Sequence, residues 1–273
     1  MTQDPHRCLR IEVEQGVATL TLDHPPINLF DIALIGEMDR AGRELEKDPE
    51  VRVVVIQSAD PDFFIAHADV ELILKLPAPT GDAPPPDRPS AFHQMVDRFR
   101  TMPKATIALI EGICRGGGSE LALSLDMRFA ALGKAVLAQP EVAVGILPGG
   151  SGTQRLPRLC GRGRALEIVL GGEDFPADLA ERYGWVNRAL PADEIRPFVE
   201  RLARRIASFP ADAIARTKAA LIAGEPPWEP GLVEEARQFE RCLANPEARA
   251  RMEAFLANGG QTREVEARSP LAS

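Results

Sequence analysis

The segment VRVVVIQS at residues 51–58 constrains the fold more than any other, because it is an unbroken run of mostly β-branched residues. A strand with apolar side chains on both faces is typical of a sheet that is covered on both sides, and such sheets are usually parallel. Before it, apolar residues recur at helical spacing in a segment that Asp31 can cap. These apolar positions are Leu34, Met38, Ala41 and Leu45.

A β-hairpin is predicted ahead of this helix. Residues 9–14 and 17–22 alternate apolar and polar side chains around Gln15-Gly16. Together with the helix and the strand at 51–58, the second hairpin strand forms a strand–helix–strand unit, which in known sheets crosses over with a right hand.

Further strands and helices follow along the chain. The pattern predicts helices over 69–76 and 90–101 and strands over 105–110, 127–131 and 135–137. Residues 77–89 contain six prolines, which predicts an irregular surface loop between the two helices. Repeated strand–turn–helix units predict an α/β fold of stacked ββα units.

The carboxy-terminal part of the sequence is almost entirely helical in its pattern. The predicted helices span 195–207, 211–222 and 231–257. We therefore divide the chain into a core at 1–195 and a helical region at 196–273. A helical region with little core of its own packs on a neighbour, so we expect an oligomer.

The overall composition excludes several classes of function. A formal charge of −8 and a pI near 5.2 oppose nucleic acid as a main partner. The four cysteines show no metal-ligand spacing, so we expect reduced thiols and no metal site. The amino terminus has no apolar targeting segment, and no stretch reaches the roughly 20 apolar residues of a membrane helix. The sequence therefore predicts a soluble cytoplasmic protein with no membrane partner.

The segment CRGGGSEL at residues 114–121 predicts a binding turn. Its three glycines follow an apolar strand and precede a helix, where the first backbone N–H groups have no partner inside the helix. Such N–H groups can hold a phosphate or the oxyanion that develops on a carbonyl. We take Gly117 as the candidate donor, and Glu120 lies one helical turn further on.

A second turn of this kind is predicted in FFIAHADVEL, residues 63–72. Its small residues, Ala66 and Ala68, leave the main-chain N–H groups accessible, and Asp69 is favourable at the start of the next helix. If the two turns face each other, they can hold one carbonyl oxygen from two sides.

A third segment, QPEVAVGILPGGSGTQRL at residues 139–156, supplies a second carboxylate, Glu141. Buried close to Glu120, it would raise the pKa of at least one of the pair, so that one group is protonated and the other ionised near neutrality. Such a pair can act as general acid and general base. Taken alone, Glu120 is also compatible with a helix surface and Glu141 with an exposed turn.

Nucleotide and serine-hydrolase chemistry are disfavoured. The turn GGSGTQ lacks the lysine of a phosphate-binding loop, and no GxGxxG follows the first strand. Ser119 does not stand in a GxSxG segment. Asp126 and Arg128 are interpreted as a structural pair or turn contact.

Three segments resemble the signature regions of the enoyl-CoA hydratase/isomerase, or crotonase, family. They are FFIAHAD, GGGSELALSLDMRFA and QPEVAVGILPGGSGTQRLPRLCG, and their order and spacing also fit. The resemblance implies a spiral ββα core and a helical carboxy-terminal trimerisation region, in a homotrimer or a dimer of trimers. It implies an acyl-CoA substrate and no cofactor beyond the coenzyme A that the substrate carries.

The resemblance also implies roles for single residues. The oxyanion hole falls on the N–H groups of Ala68 and Gly117, the catalytic pair on Glu120 and Glu141, and water positioning on Gly149. Because both glutamates are present, the resemblance favours hydration of a 2-enoyl-CoA, with Glu120 activating water and Glu141 protonating C2. The alternatives are double-bond isomerisation, another enolate reaction, or a catalytically silent member that binds acyl-CoA.

Two positions depart from the usual pattern of the family. His67 replaces a glycine between Ala66 and Ala68, and Arg115 precedes the triple glycine where a smaller or apolar residue is usual. We hypothesise that His67 or Arg115 selects a polar or carboxylated acyl group, and we count both, with Ala66 and Asp69, as substrate-binding candidates. The alternative is that these side chains point outward or contact Asp69. Residues that could bind the phosphates of coenzyme A include Arg7, Arg10 and Lys104.

Overall fold

The computed structural model describes residues 7–77 and 86–268. The proline-rich segment that was predicted as a loop falls mostly outside these ranges. The described residues form two β-sheets with helices packed around them.

The larger sheet has six strands in the order β1-β2-β3-β5-β7-β10. Their bounds are β1 (Leu9–Glu14), β2 (Val17–Leu22), β3 (Val53–Ser58), β5 (Ala105–Ile110), β7 (Met127–Ala131) and β10 (Arg188–Leu190). The pair β1–β2 is antiparallel, as predicted for a hairpin, and the other neighbours are parallel.

Burial on both faces of this sheet agrees with the expectation from the β-branched run. Val54 and Ile56 belong to the main core, whereas Val53 and Val55 pack on the opposite face, in a second core. Side chains alternate between the two faces of a strand, so a strand buried on both needs an uninterrupted apolar run.

A second sheet of four short strands has the order β4-β6-β8-β9. The strands are β4 (Phe63–Ile65), β6 (Ile113–Arg115), β8 (Val136–Ala138) and β9 (Phe175–Pro176). The apolar strand that the triple glycine follows is β6 and not the predicted strand at 105–110, which ends before it. Strand β6 has only three residues and was not predicted, whereas the equally short β8 was predicted over 135–137.

The helices of the described ranges surround these sheets. In chain order they are α1 (Ile32–Lys47), α2 (Val70–Leu74), α3 (Ala91–Thr101), α4 (Gly117–Ser124), a 3-10 helix (Glu141–Val144), α5 (Gly152–Cys160), α6 (Arg162–Gly171), α7 (Ala177–Tyr183), α8 (Ile195–Ala207), α9 (Ala211–Ala223), α10 (Glu229–Leu243), α11 (Pro246–Ala257) and α12 (Arg263–Glu266). Asp31 caps α1 as predicted, since its side chain accepts a hydrogen bond from the N–H of Leu34.

The single helix predicted over 231–257 is wrong. The chain leaves helical geometry at Asn245, whose side chain accepts a hydrogen bond from the Glu247 N–H and caps α11. Pro246 then occupies the first position of α11, where its missing N–H costs nothing. A proline also disfavours helical geometry in the residue before it, which separates α10 from α11.

Two of the contacts between the helical region after residue 195 and the rest of the chain are made by α8 and α11. Helix α8 covers the second face of the larger sheet through Ile195, Val199 and Ala203. Helix α11 packs through Ala248 and Met252 against α2 and the 3-10 helix. Because of the second contact, carboxy-terminal residues lie close to the turns singled out in the sequence. The division at 195 stays a prediction.

The four cysteines are free in this structure, and none of the described helices is long and apolar enough to cross a bilayer. Burial raises the pKa of the Cys8 and Cys160 thiols to about 11. These two thiols are therefore protonated near neutral pH and unreactive as nucleophiles.

Candidate active site

The three glycines of the sequence CRGGGSEL serve three different purposes. Gly116 has φ of +48°, a conformation that side chains rarely adopt. A Cβ added to Gly118 would lie 2.6 Å from the Cβ of Ile65, so helix α4 packs on strand β4 without space for a side chain. Gly117 lies between them and is the first residue of α4, where its N–H has no partner within the helix.

The two turns predicted to face each other are adjacent. A Cβ added to Gly117 would lie 3.6 Å from the backbone nitrogen of Ala68 and 3.4 Å from the Ala68 Cβ. In the part of the chain that the structure describes, neither Ala68 nor Gly117 donates its N–H to another backbone group. Two unpaired N–H groups are therefore available side by side, and one of them lies at the start of a helix.

Ala66 and Asp69 have structural partners on either side of Ala68. The buried Ala66 donates its N–H to the carbonyl of Ile27 at 3.2 Å. The side chain of Asp69 caps α2 and accepts a hydrogen bond from the N–H of Glu71 at 2.9 Å. Both residues fix the backbone of the turn, and their assignment to substrate binding stays a prediction.

Glu120 is buried and held by backbone hydrogen bonds. Its Oε1 accepts from the N–H of Gly150 at 2.7 Å and from the N–H of Gly152 at 2.8 Å. Only 3% of the residue is exposed. The turn PGGSG thus fixes the orientation of this carboxylate, and it does so through glycines that the sequence analysis did not single out.

Glu141 is also buried, but it has much weaker support. Its Oε1 accepts a hydrogen bond of 3.3 Å from the Nε2 of Gln139, and its Oε2 is a buried atom without a partner among the described residues. It lies against the glycine turn, since a Cβ added to Gly116 would be 3.1 Å from its Oε1. A buried carboxylate oxygen without a donor favours the protonated form.

The two carboxylates form an electrostatically coupled pair. Burial and the negative charges of Glu141 and Glu235 raise the pKa of Glu120 well above its ordinary value, against the two backbone N–H groups, which lower it. Burial raises the pKa of Glu141 to about 8. The pair therefore retains a proton near neutral pH, and the backbone donors favour ionisation at Glu120, as general acid–base chemistry requires.

Gln139 lies close to both carboxylates: it donates to Glu141 and lies against Gly152, whose N–H binds Glu120. A Cβ added to Gly152 would lie 2.7 Å from the Nε2 of Gln139 and 3.0 Å from the Oε1 of Glu120. Gln139 belongs to the third signature segment, and its local sequence does not mark it as a site residue. Its position follows from the contact between the residue after β8 and the first residue of α5, which no local pattern reveals.

Gly149 packs against a helix from the carboxy-terminal region. A Cβ added there would lie 2.7 Å from the ring of Phe239 on α10. The hydrogen bonds to Glu120 come from the following residues, Gly150 and Gly152, and the water-positioning role of Gly149 stays a prediction. The same helix supplies Glu235, a third buried carboxylate that sequence reasoning missed.

His67 and Arg115 contact the carboxy-terminal segment. Arg115 is 3% exposed and donates to both carboxylate oxygens of Asp174 at 2.7 Å, and to the carbonyl of Glu266 at 2.9 Å. The Nε2 of His67 lies 3.2 Å from the Oε1 of Glu266. The alternative that these side chains point outward or contact Asp69 is wrong, because the half-buried Asp174 and the buried Glu266 hold them. Selection of a polar acyl group by either residue has no support from these contacts.

Three other residues considered in the sequence have structural roles. The ammonium of Lys104 is buried and donates to the carbonyls of Asp48 and Val51, both at 2.6 Å, which removes it from the candidates for phosphate binding. Asp126 pairs with Lys218, whereas Arg128 donates to backbone carbonyls, so the two do not form the expected pair with each other.

Similarity to known proteins identifies the family of the chain. The family model for enoyl-CoA hydratase/isomerase matches residues 12–260. The chain belongs to the enoyl-CoA hydratase/isomerase family. A crotonyl-CoA hydratase of Syntrophomonas wolfei is 34% identical over 249 residues, which cover 90% of this chain and 94% of that protein. A short-chain-enoyl-CoA hydratase of Clostridium acetobutylicum is 31% identical over 250 residues, covering 90% and 93% of the two chains.

Solved structures of the family confirm the predicted α/β fold with a crotonase-like core. A chain from Streptomyces avermitilis superposes with a TM-score of 0.89 at 38% identity, covering 97% of this chain and 96% of its own. An enoyl-CoA hydratase from Mycobacterium avium subsp. paratuberculosis superposes with a TM-score of 0.80 at 26% identity, covering 93% and 98%.

Proposed function

We propose that this member of the enoyl-CoA hydratase/isomerase family is an enoyl-CoA hydratase, which adds water across the 2,3 double bond of an enoyl-CoA thioester. One observation carries the proposal: two unpaired backbone N–H groups lie side by side at Ala68 and Gly117, next to the buried acids Glu120 and Glu141. The names of the relatives, which include hydratases of crotonyl-CoA and of short-chain enoyl-CoA, support the same reaction.

The N–H groups of Ala68 and Gly117 would bind the thioester oxygen. As water attacks C3, electrons move toward this oxygen, and the intermediate has the character of an enolate. Because Gly117 begins α4, the positive end of the helix dipole adds to the hydrogen bond. Removal of one such donor from an oxyanion hole costs about 3 kcal/mol of transition-state stabilisation.

Glu120 and Glu141 would divide the proton transfers. Glu120, whose ionised form is favoured by two backbone donors, takes a proton from water as the oxygen bonds to C3. Glu141, whose protonated form is favoured by burial, delivers its proton to C2. Water is thereby added as hydroxyl at C3 and hydrogen at C2, with no cofactor beyond the coenzyme A of the substrate.

The test of this function is hydration of crotonyl-CoA, followed as loss of absorbance of the conjugated thioester. We expect turnover by the wild-type chain and its loss in Glu120→Gln. If crotonyl-CoA is not hydrated, a 3-enoyl-CoA that gains conjugation would identify an isomerase. Calorimetric binding of acyl-CoA with no turnover on either substrate would identify a silent member.

We also propose that the helical carboxy-terminal region assembles the chain into a trimer or a dimer of trimers. Helix α9 supports this, because Leu221 is 71% exposed and Lys218 is the one buried residue of the helix. Light scattering after gel filtration would measure the mass. A wild-type chain of monomeric mass would refute the assembly, and Leu221→Lys is expected to weaken it.

A further inference from the structure

A third acidic side chain, Glu235 on α10, is buried beside the proposed catalytic pair. Its side chain has no exposed surface, and four hydrogen bonds reach its two oxygens. The donors are the Nε2 of His93 at 2.8 Å, the N–H of Ser151 at 2.6 Å, the N–H of Thr153 at 3.1 Å, and the hydroxyl of Thr153. An ionised carboxylate offers about four acceptor positions, so these donors saturate it.

The protonation of His93 follows from its own contacts. Its Nδ1 accepts a hydrogen bond of 3.1 Å from the backbone N–H of Ser90, a group that can only donate. The Nδ1 therefore carries no proton, and the hydrogen of the neutral ring is on Nε2, where it points at Glu235. Ser90 caps α3 and fixes this tautomer, so His93 acts as a neutral donor that orients the carboxylate of Glu235.

Glu235 and Glu120 share the turn before α5 in an alternating pattern. Glu120 accepts the N–H groups of Gly150 and Gly152, while Glu235 accepts those of Ser151 and Thr153. Consecutive N–H groups thus point alternately to the two acids. The donors of Glu120 can keep their direction only if the intervening N–H groups are also held.

Helix α10 reinforces the turn at a second point. Phe239, one helical turn after Glu235, packs its ring where a side chain at Gly149 would lie, 2.7 Å from the position of an added Cβ. Helix α10 thus contacts both the start of the turn and the beginning of α5.

We propose that Glu235 is a positioning residue for Glu120: oriented by His93, its carboxylate holds residues 150–153 so that two backbone N–H groups remain directed at the catalytic acid. The proposal rests on the hydratase function proposed above. Glu235 acts through the backbone, and no contact with substrate is needed.

The test compares Glu235→Gln with Glu234→Gln, the adjacent acid of the same helix, whose side chain is 56% exposed. In Glu235→Gln the amide NH2 would face one of the hydrogen-bond donors that now bind the carboxylate, so the turn would lose a partner. We expect kcat for crotonyl-CoA hydration to fall about 10- to 100-fold, with KM changed less than about threefold. Hydrogen–deuterium exchange of the peptide containing residues 150–153 is expected to rise. Glu234→Gln is expected to match the wild type in both measurements.

Two further comparisons separate positioning from general stability. His93→Gln keeps a donor near the Nε2 position and is expected to retain most activity, whereas His93→Leu is expected to lose as much as Glu235→Gln. In a Glu120→Gln background, adding Glu235→Gln is expected to cause little further loss, because the effect passes through Glu120. Additive losses, or equal loss in both His93 variants, would overturn the proposal.

Failure of this inference is distinguishable from failure of the hydratase function. If the wild type hydrates crotonyl-CoA while Glu235→Gln keeps full rate and unchanged exchange, the positioning role is wrong and the function stands. If the wild type does not hydrate any enoyl-CoA, the proposed function fails, whatever the exchange of 150–153 shows.

Discussion

The surroundings of Glu120 and of Glu141 differ, although both acids are buried in one site. Glu120 lies on a regular helix and accepts two short hydrogen bonds from the backbone of another turn. Glu141 begins a 3-10 helix and has one long hydrogen bond from Gln139 and a buried oxygen without a donor among the described residues. Burial alone would make the two acids equivalent, and the donors distinguish them.

This difference shows how one site can hold an acid and a base of the same residue type. Backbone N–H groups cannot give up their hydrogens, so their hydrogen bonds favour the ionised form of Glu120 and oppose the rise in its pKa that burial and the neighbouring acids cause. At Glu141 the backbone N–H of the residue itself and the weak amide donor of Gln139 oppose the cost of burying a charge but do not outweigh it, so the proton stays. The division of labour depends on the turn at 150–152, which lies about thirty residues from Glu120 in the chain.

The largest expected effect comes from removing each acid in turn. Glu120→Gln and Glu141→Gln are each expected to lower kcat for hydration by about 10² to 10⁴-fold. Double-bond isomerisation of a 3-enoyl-CoA needs a proton shuttle but no activated water. If the wild type has this isomerase activity, Glu141→Gln should abolish it, whereas Glu120→Gln should retain part of it. Paired assays on the two substrates measure this, and equal losses in both variants would show that the acids are not specialised.

Arg115 is the last residue of strand β6 and directly precedes the glycine turn against which Glu141 lies. Arg115→Leu would leave Asp174 without its bidentate partner and the buried Glu266 without a nearby positive charge. Loss of one member of such a buried network costs about 3 kcal/mol, which thermal or urea unfolding would detect. Relative rates on thioesters of varied polarity are expected to be unchanged. A changed preference with unchanged stability would instead restore the substrate-selecting role.

Displacing the support of Glu120 should have a smaller effect than removing the acid. In Gly152→Ala the new methyl group would lie 3.0 Å from the Oε1 of Glu120 and 2.7 Å from the Nε2 of Gln139, so these groups must shift. We expect kcat to fall about 10- to 100-fold, because a displacement near 1 Å is enough for such a loss. Gly163→Ala is the matched control, since an added Cβ there meets no atom within 4 Å. Equal activity of the two variants would contradict the model of a rigid turn.

A last effect concerns the pH dependence of stability. The pKa of Glu141 is raised from 4.5 to about 8 in the folded chain, so between these values the folded state binds more protons than the unfolded state. The free energy of unfolding should then decrease as pH rises through this window, by up to about 1.4 kcal/mol per pH unit for one group. Urea unfolding should show a shallower decline in Glu141→Gln than in the wild type or the exposed control Glu173→Gln. An unchanged slope would mean that Glu141 is ionised in the folded state.

Much of the fold was predictable because its signals are local. The hairpin, the capped helix α1 and the strand buried on both faces depend on residues close in sequence. The short strands β4, β6 and β9 were not predicted because two or three residues carry little periodicity, although β8, of three residues, was predicted over 135–137. The break at Asn245 was missed although Pro246 was the signal that could have found it.

For the site, the sequence by itself determined which chemical groups are available: a glycine turn before a helix, a small-residue turn, and two acids in signature segments. Only the tertiary structure decided how these groups are supported. It brought the N–H groups of Gly150 and Gly152 to Glu120 and left Glu141 with a weak donor. It also placed Glu235 of α10 at the same turn, and it paired His67 with Glu266 and Arg115 with Asp174. The physical reason is that hydrogen bonds between distant segments depend on the packing of whole elements, whereas capping and strand burial depend on neighbouring residues.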